Sequence, residues 1–416
     1  MGNKIRLAMV EPNGAGGLIH YAYQLCAALS NAELDVTLVT GTNYEMAEFP
    51  HNFRVQNILA LWTLFDPQQM HEPPKNPLTR LWHKIHRTLR RGVRAVRLIR
   101  AWMGLTRHLT NLKPDIVLFS KINFPFETYF LGLMQRRGLL LAEIGHEFEL
   151  RERSGRFAAL VARAYAGIYT HFSAIFFHAQ ENRERFLSLF PFVPRERTHV
   201  IAHGNSDWLL SFPARDKSEL LAQYGLRGDE RAVLFFGLLS PSKGLDDLID
   251  AFALARQSCA AKLVIAGYPT KHIHMDELRK RIHERGVSDD VILDTRYIPL
   301  GDIRPLMEIA ALVVYPYHSS TQSGSLQMAY TFGKPVIATN VGGLPEAVED
   351  GLNGFLVPAQ TPSALAEKIA ALVNDPARAE EMGRQSRRLA ETRFGWNTIA
   401  ARMRPVFEDL LKRDNG

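Results

Sequence analysis

The chain has 416 residues, 46% of them hydrophobic and 22% charged, which excludes a disordered or fibrous protein and provides for two or three globular domains. The net charge of +7 is modest for this length, and the two cysteines are too few for a disulfide framework or a spaced metal-ligand set. We find neither a run of about 18 apolar residues nor a signal-peptide pattern, so we expect the protein to remain in the cytoplasm.

The first half of the sequence alternates short β-rich runs with helical patterns, which is typical of βαβ units and parallel sheets. We predict strands at residues 5–10, 36–40, 53–58, 115–119, 139–144, 174–178 and 199–202. Ligands of open α/β sheets bind beyond the carboxyl ends of the strands, so the loops that follow these strands are the places to look for a site.

The first of these loops, Glu11–Gly17, is rich in glycine and joins a strand to a helix. Gly16 and Gly17 would let backbone amides approach a phosphate or a sugar at the helix amino terminus, where the helix dipole favours negative charge. A dinucleotide site is the alternative. However, Ile19 stands where its third glycine is expected, and no acid follows the second strand at Thr40–Thr42 to hold a ribose.

A basic segment lies between Pro73 and Pro114. It contains eleven Lys or Arg residues and no acid, and apolar residues that include Trp82 and Trp102 recur in it at near-helical spacing. We predict a basic amphipathic helical insert, about residues 75–113, that lies on an anionic membrane surface. A solvated helix face is the alternative, and nucleic acid is not an expected partner because no recognition fold accompanies the charge.

Three polar residues, His146, Glu147 and Glu149, follow the apolar strand predicted at 139–144. Polar groups placed after such a run are costly unless they meet solvent or a ligand. We expect His146 to contact the reacting sugar or the acceptor, although a lone histidine at a strand end is commonly structural. Glu147 or Glu149 could serve as a base on the acceptor side, or could cap the next helix.

The second half repeats the alternation and predicts a second sheet. Its strands fall at residues 232–236, 262–266, 291–294, 312–315, 335–339 and 354–357, and helices follow at 362–374, 377–393 and 396–412. Two sheets of this size imply an α/β protein with two Rossmann-like lobes facing each other across a cleft. We place a first domain at 1–205, a linker at 206–230, a second domain at 231–390 and a final helix that crosses back toward the first lobe at 391–416.

Lys243 lies in the loop Gly237–Leu245, which joins the first strand of the second domain to a helix. The sequence predicts this lysine in the first helical turn. A fixed cation beside helix-terminal amides is suited to a diphosphate leaving group, whose negative charge grows as the sugar–oxygen bond breaks.

The loop Tyr317–Ser325 is the second candidate in this half, again between a strand and a helix. Its consecutive hydroxyls, amides and glycine suit an anion nest beside sugar hydroxyls. A serine-rich helix cap is the alternative.

These motifs together resemble the large retaining family 4 of nucleotide-sugar glycosyltransferases. The most specific segment is Gly333–Glu346, followed by Asp350-Gly351 and Gly354–Val357. The resemblance implies the GT-B fold, a UDP- or GDP-sugar donor held by the second domain, and transfer with retention without a bound metal or other cofactor. The absence of any Asp-x-Asp motif argues against the metal-dependent single-lobe alternative.

The resemblance also assigns roles to residues. It implies that His146 and Lys243 are catalytic and that His146 and Glu147 lie on the acceptor side. The donor-binding residues that we expect, from the loops and the resemblance together, are Gly16, Gly17, Gly237, Lys243, Gln322, Ser323, Gly324 and Ser325.

Three positions depart from the family pattern. Leu238 stands where an arginine is usual, and Ser320 and Met328 stand where two glutamates are usual, one for donor hydroxyls and one for the ribose. Because of these departures, the sequence does not determine which nucleotide sugar is the donor. They also keep two alternatives in view, a pseudo-transferase that binds nucleotide sugar without turnover and another GT-B reaction such as sugar-nucleotide epimerisation.

We therefore expect a hexosyltransferase whose acceptor is a saccharide or a lipid-linked sugar, acting in cell-surface polysaccharide assembly, such as that of exopolysaccharide. The basic insert suggests peripheral attachment to the inner face of the plasma membrane.

Overall fold

A computed structural model describes residues 4–59, 77–122, 124–148 and 166–414, and in the helix that begins at Pro77 it describes side chains from Gly92 onward. Glu149 and the side chain of Trp82 lie outside the described residues. The chain divides into two compact units. The first comprises Met1–Phe177, Phe186–His199 and Ala400–Gly416, and the second comprises His178–Arg185 and Val200–Ile399.

The first unit contains a seven-stranded sheet. Its strands are β1 Arg6–Glu11, β2 Asp35–Gly41, β3 Arg54–Leu59, β4 Ile116–Phe119, β5 Leu140–Ile144, β6 Ala174–Phe177 and β7 Thr198–Val200. The α-helices among the described residues up to this point are α1 Gly17–Asn31, α2 Pro77–Leu112, α3 Glu127–Gln135 and α4 Gln180–Leu189. All seven predicted strands are present, with bounds shifted by one or two residues.

The strand order of this sheet is β3-β2-β1-β4-β5-β6-β7, so the chain runs outward from β1 on one side and from β4 on the other. Strands β1 and β4 pair in parallel, with Leu7 opposite Ile116 and Val10 opposite Phe119. In parallel sheets such a reversal of strand order opens a crevice at the carboxyl ends. The glycine-rich loop after β1 therefore starts at this switch point.

Helix α2 lies in the segment predicted as the helical insert, and it differs from the prediction at one residue. Trp102 does not face outward: it is 3% exposed and belongs to the core together with Leu105 and Leu109. Its ring stacks on Phe119 at 5.9 Å, and its indole N–H donates to Glu127 at 3.2 Å. The second half of α2 therefore packs on the sheet. The prediction missed this because hydrophobic periodicity alone does not distinguish a helix face that packs on the protein from one that contacts lipid.

The second unit contains a six-stranded sheet. Its strands are β8 Ala232–Phe236, β9 Lys262–Ala266, β10 Val291–Asp294, β11 Ala310–Tyr315, β12 Val336–Thr339 and β13 Gly354–Val357. The remaining helices are α5 Trp208–Ser211, α6 Lys217–Tyr224, α7 Leu245–Ala255, α8 Met275–Glu284, α9 Leu300–Ile309, α10 Gly324–Thr331, α11 Pro362–Asn374, α12 Pro376–Glu391 and α13 Trp396–Asp414. All six predicted strands are present, within two residues of the predicted bounds.

The strand order here is β10-β9-β8-β11-β12-β13, and every pair is parallel. The order reverses between β8 and β11, which places the loop after β8 beside the loop after β11. These are the two loops that the sequence singled out in this half.

The residues predicted as a linker, 206–230, contain α5 and α6, and Asp216 caps α6 by accepting from the Ser218 N–H at 2.6 Å. Helix α13 begins in the second unit, and its residues from Ala400 onward cluster with the first. There Phe407 packs on Phe176 of β6 with ring centroids 5.7 Å apart. Within the described parts of the chain, no helix is both long and apolar enough to cross a membrane.

Candidate active site

The loops after β8 and β11 approach each other closely in the second unit. Gly244 has a φ of +66°, and a Cβ built there would lie only 1.9 Å from the Pro316 carbonyl oxygen. Gly237 has a φ of +145°, and its Cβ would lie 3.7 Å from the Ser325 hydroxyl. Glycine at position 244 therefore lets the β8 loop approach the segment that follows β11, and Gly237 adopts a backbone conformation that other residues rarely adopt.

Lys243 lies at the centre of this contact. It ends a 3₁₀ turn, Pro241–Lys243, and so precedes α7 rather than lying in its first turn as the sequence predicted. The left-handed Gly244 separates the two helical segments, which is the physical reason for the difference. The Lys243 ammonium lies 3.6 Å from the centroid of the Tyr317 ring, within the range of a cation–π interaction.

Two serine hydroxyls lie close to the phenol oxygen of Tyr317. Its phenol oxygen lies 3.3 Å from the Ser323 hydroxyl and 3.4 Å from the Ser325 hydroxyl, and these two serines are 3.0 Å apart. A cation and three hydroxyls thus converge at the amino end of α10. We call Lys243, Tyr317, Ser323 and Ser325 the cradle.

The helix start itself is organised by side chains of the predicted nest. Ser323 is the N-cap of α10, and its hydroxyl accepts from the Leu326 N–H at 3.3 Å. The Gln322 side-chain carbonyl accepts from the Ser323 N–H at 3.1 Å. These contacts fix the first turn of α10, whose amino end carries partial positive charge. Such a terminus beside a lysine is suited to binding a phosphate group.

A hydrogen bond between His318 and Asp247 ties the cradle to α7. The His318 Nε2 lies 2.7 Å from the Asp247 carboxylate, and the His318 N–H donates to the Ser242 carbonyl at 2.9 Å. The two loops that flank Lys243 are therefore joined through His318. Sequence reasoning did not predict this pair or the ring of Tyr317 beneath Lys243, because the partners are far apart in the chain.

In the first unit, His146 follows β5 and packs against α1. Its ring lies 4.7 Å from the Tyr21 ring in an edge-on geometry, one turn along α1 from Gly17. His146 is half-buried, whereas Glu147 is exposed and pairs with Lys121 at 2.8 Å. The structure thus places His146, and not Glu147, against the helix that starts at the glycine-rich loop.

The amino end of α1 already holds a carboxylate. Gly16 is the N-cap of this helix with a φ of +92°, and its N–H donates to Glu45 at 2.8 Å. Burial alone would raise the pKa of Glu45, but the hydrogen bonds from His20 and Gly16 lower it below its ordinary value. Because this anion occupies one amide of the Gly16–Gly17 loop, the loop favours a neutral sugar over a phosphate.

Two further acids are buried near these strand ends. Glu11 accepts hydrogen bonds from Ser120 and from the Asn13 N–H, and burial raises its pKa. Glu143 of β5 is 4% exposed, and burial raises its pKa to about 8. Glu143 therefore carries a proton at pH 7. It was not singled out from the sequence, because it sits inside a run that reads as an ordinary strand.

The comparisons with known proteins agree with this architecture. Residues 216–389 match the sequence model of the family described as glycosyl transferases group 1. The D-inositol 3-phosphate glycosyltransferase of Jonesia denitrificans is 33% identical over 224 residues, which are 51% of this chain and 51% of that protein. Spore coat protein SA of Bacillus subtilis is 30% identical over 203 residues, 47% of this chain and 52% of that protein. The matches thus span about half the length of these relatives.

Solved structures match over nearly the whole chain. Sucrose-phosphate synthase from Thermosynechococcus elongatus has a TM-score of 0.70 at 20% identity, with 99% of this chain and 100% of that chain covered. HepE of Anabaena, solved with UDP and glucose, has a TM-score of 0.69 at 22% identity, with 97% and 100% covered. WaaG, a glycosyltransferase involved in lipopolysaccharide biosynthesis, has a TM-score of 0.65 at 15% identity, with 96% and 99% covered.

Two doubly wound parallel sheets and these structural matches define a GT-B protein with two Rossmann-like lobes. Within that class, residues 216–389 are similar to the glycosyl transferases group 1 family, and the sequence relatives above match the chain over about half of its length. The cradle lies within the matched segment.

Proposed function

We propose that the chain transfers a hexose from a UDP- or GDP-sugar to a saccharide or lipid-linked acceptor, with retention, in cell-surface polysaccharide assembly. The observation that carries this proposal is the cradle, where the Lys243 ammonium lies beside hydroxyls at the amino end of α10. The similarity of residues 216–389 to the glycosyl transferases group 1 family supports the reaction class. The UDP and UDP-glucose complexes of the structurally similar HepE support the donor class.

The proposed reaction breaks the bond between the anomeric carbon and a donor phosphate oxygen and forms a bond to the acceptor oxygen on the same face. The departing diphosphate gains negative charge and takes the acceptor's proton. Lys243 and the amino end of α10 stabilise this charge more in the transition state than in the bound donor, which lowers the barrier. His146 and the Gly16–Gly17 loop hold the sugar and the acceptor. Because Lys243 supplies the positive charge, the proposal includes no metal.

A second candidate is a protein that binds nucleotide sugar without turnover. Leu238 is 52% exposed and offers no charge to the phosphates, and the Ser320 hydroxyl donates to the Gln322 carbonyl within its own loop at 2.9 Å. These two departures from the family pattern favour this alternative.

A panel of UDP- and GDP-sugars, all at one concentration, should identify the donor. The donor should raise the free energy of unfolding most, by about 2.7 kcal/mol where that concentration is 100 times its dissociation constant, measured as an increase in Tm. Analysis of the products then separates the alternatives. A new glycosidic bond supports transfer, an isomerised sugar nucleotide indicates epimerisation, and binding without any donor consumption indicates a pseudo-transferase.

We also propose that the exposed part of α2 binds an anionic membrane surface. Val93, Val96, Ile99 and Met103 recur at helical spacing and are 51%, 52%, 44% and 50% exposed. Arg94, Arg97 and Arg100, all exposed, lie between them. Apolar side chains flanked by arginines fit the headgroup region of an anionic bilayer, where each cation contributes about 1 kcal/mol.

Vesicle flotation measures this binding. Three arginines should raise the partition coefficient on the order of 100-fold in phosphatidylglycerol vesicles over phosphatidylcholine vesicles, and 0.5 M salt should remove most of the difference. The double substitution Val96→Asp with Ile99→Asp should abolish recovery. Leu254→Asp, at a 44% exposed site on α7, is the matched control and should float like the wild type. Equal recovery from both kinds of vesicle would remove the proposal.

A further inference from the structure

Gln327, in the second turn of α10, is a buried amide without a partner. Its side chain is 1% exposed, and neither its amide nitrogen nor its carbonyl oxygen has a hydrogen-bond partner among the described residues. Buried polar atoms in proteins are almost always paired, so an orphaned carboxamide needs an explanation such as a ligand or an ordered water. Because both the amide nitrogen and the carbonyl oxygen of Gln327 lack partners, we expect a ligand group that both donates and accepts hydrogen bonds.

Helical spacing shows where this amide lies. Residues three or four positions apart share a face of a helix, so Gln327 lies on the same face as Gly324 and Thr331. Both ends of that face contact the segment His203–Ser206. A Cβ on Gly324 would lie 3.5 Å from the His203 ring, and the Thr331 hydroxyl accepts from the Ser206 N–H at 2.9 Å. Gln327 therefore faces this segment, whereas Ser325 and the rest of the cradle lie on a different face of α10.

The neighbouring histidine is neutral, and its ring lies beside the start of α10. The His203 Nδ1 lies 2.9 Å from the Gly204 carbonyl oxygen, which only accepts, so Nδ1 donates and carries the proton. Burial lowers the pKa of His203 to about 4, so the ring is uncharged at pH 7 and Nε2 is an acceptor. The Nε2 edge lies 3.6 Å from the Cβ position of Gly324, and the His178 ring packs edge-on at 5.0 Å.

The chemistry of these groups selects the ligand. Phosphate oxygens only accept hydrogen bonds at neutral pH, so they cannot pair with the carbonyl oxygen of this carboxamide, and they gain less from its neutral amide nitrogen than from the Lys243 ammonium. A hydroxyl both donates and accepts, and two adjacent hydroxyls match the carbonyl oxygen and the amide nitrogen of one carboxamide. Leu238 and Met328 carry no hydrogen-bonding side-chain group that could take this role.

We infer that Gln327 is a specificity-determining residue whose carboxamide hydrogen-bonds adjacent hydroxyls of the nucleotide-sugar donor. This inference rests on the proposed function. The hydroxyls belong either to the ribose or to the transferred sugar, and both present the same chemistry. In this arrangement the cradle binds the phosphates, and Gln327, on the opposite face of α10, binds the hydroxyls.

The test compares ligands that differ by one hydroxyl, with binding measured by calorimetry. The probes are UDP against 2′-deoxy-UDP for the ribose, and UDP-glucose against UDP-2-deoxyglucose for the sugar. If GDP proves to be the base, the corresponding guanine compounds replace them. The wild type should prefer the hydroxylated member of one pair by about tenfold. Gln327→Leu should bind both members with the weaker affinity, and Gln327→Met provides a second variant should the first fold poorly.

Stability separates a ligand role from a structural one. Because the amide is unpaired without ligand, Gln327→Leu should keep or raise the Tm of the free protein. The matched control is Gln24→Leu, since Gln24 is a buried amide of the first unit whose nitrogen donates to the His20 carbonyl at 3.4 Å. It should lower the Tm and leave both preferences intact.

The inference is overturned if Gln327→Leu retains the wild-type preference in both pairs, or if it weakens every ligand equally. A different result would show that the proposed function itself is wrong. In that case the wild type itself binds no UDP or GDP compound, and the assignment of Gln327 falls with it.

Discussion

Replacing Lys243 with methionine should lower the kcat of sugar transfer by about 100- to 1,000-fold, the usual effect of removing one group that stabilises transition-state charge. Methionine keeps the length of the side chain and its contact with the Tyr317 ring but removes the ammonium. Since the charge on the diphosphate grows as the bond to the anomeric carbon breaks, kcat should fall more than the affinity for the donor. Initial rates at saturating and limiting donor measure the two effects separately.

Two further variants make this result specific. Lys280→Met removes a lysine that is 74% exposed on α8 and should leave the rate unchanged. Lys243→Arg keeps the charge with a different geometry and should recover part of the activity. If Lys243→Met lowered the Tm by several degrees, or if Lys243→Arg were as inactive as the methionine variant, the role of Lys243 as a charge beside the leaving group would be rejected.

The fold was predictable because its signal is local. Strands such as Ala232–Phe236 and Ile116–Phe119 are buried along their whole length, and such strands appear in the sequence as continuous apolar runs. Their alternation with helices then implies two parallel sheets. The positions of Lys243 and Ser323 follow in turn, because loops at the carboxyl ends of neighbouring strands converge at a switch point.

What the sequence did not reveal depends on contacts between distant residues. The Asp247–His318 pair joins positions 71 residues apart, and the carboxylate that Gly16 contacts comes from Glu45. Trp102 lies in a segment whose period fits a membrane-facing helix as well as a core-facing one, and only packing on Phe119 decides between them. The orphaned amide of Gln327 has no sequence signal, because a glutamine in a helix is ordinary.

Substituting Glu143 with glutamine should stabilise the protein, and the gain should grow with pH. Burial is the main cause of the raised pKa of Glu143, and the nearby Glu127 carboxylate raises it further. At pH 4 both the folded and unfolded chains hold the proton, so the carboxyl costs nothing. Between about pH 4.5 and the folded pKa of about 8, the unfolded chain releases the proton while the folded protein keeps it. Stability therefore falls as the pH rises through this window.

Above pH 8 both states are ionised, and the cost reaches its full value of roughly 5 kcal/mol, since one pKa unit corresponds to about 1.4 kcal/mol. Glutamine keeps the shape of the side chain and cannot ionise, so the Tm of the Glu143→Gln variant should match the wild type at pH 4.5 and exceed it clearly at pH 8.5. Glu196→Gln, at an exposed position of the same unit, should show no pH-dependent difference. A Tm difference between Glu143→Gln and the wild type that stayed constant from pH 4.5 to 8.5 would mean that Glu143 is ionised in the folded protein, with a counter-charge such as Lys121 compensating its burial.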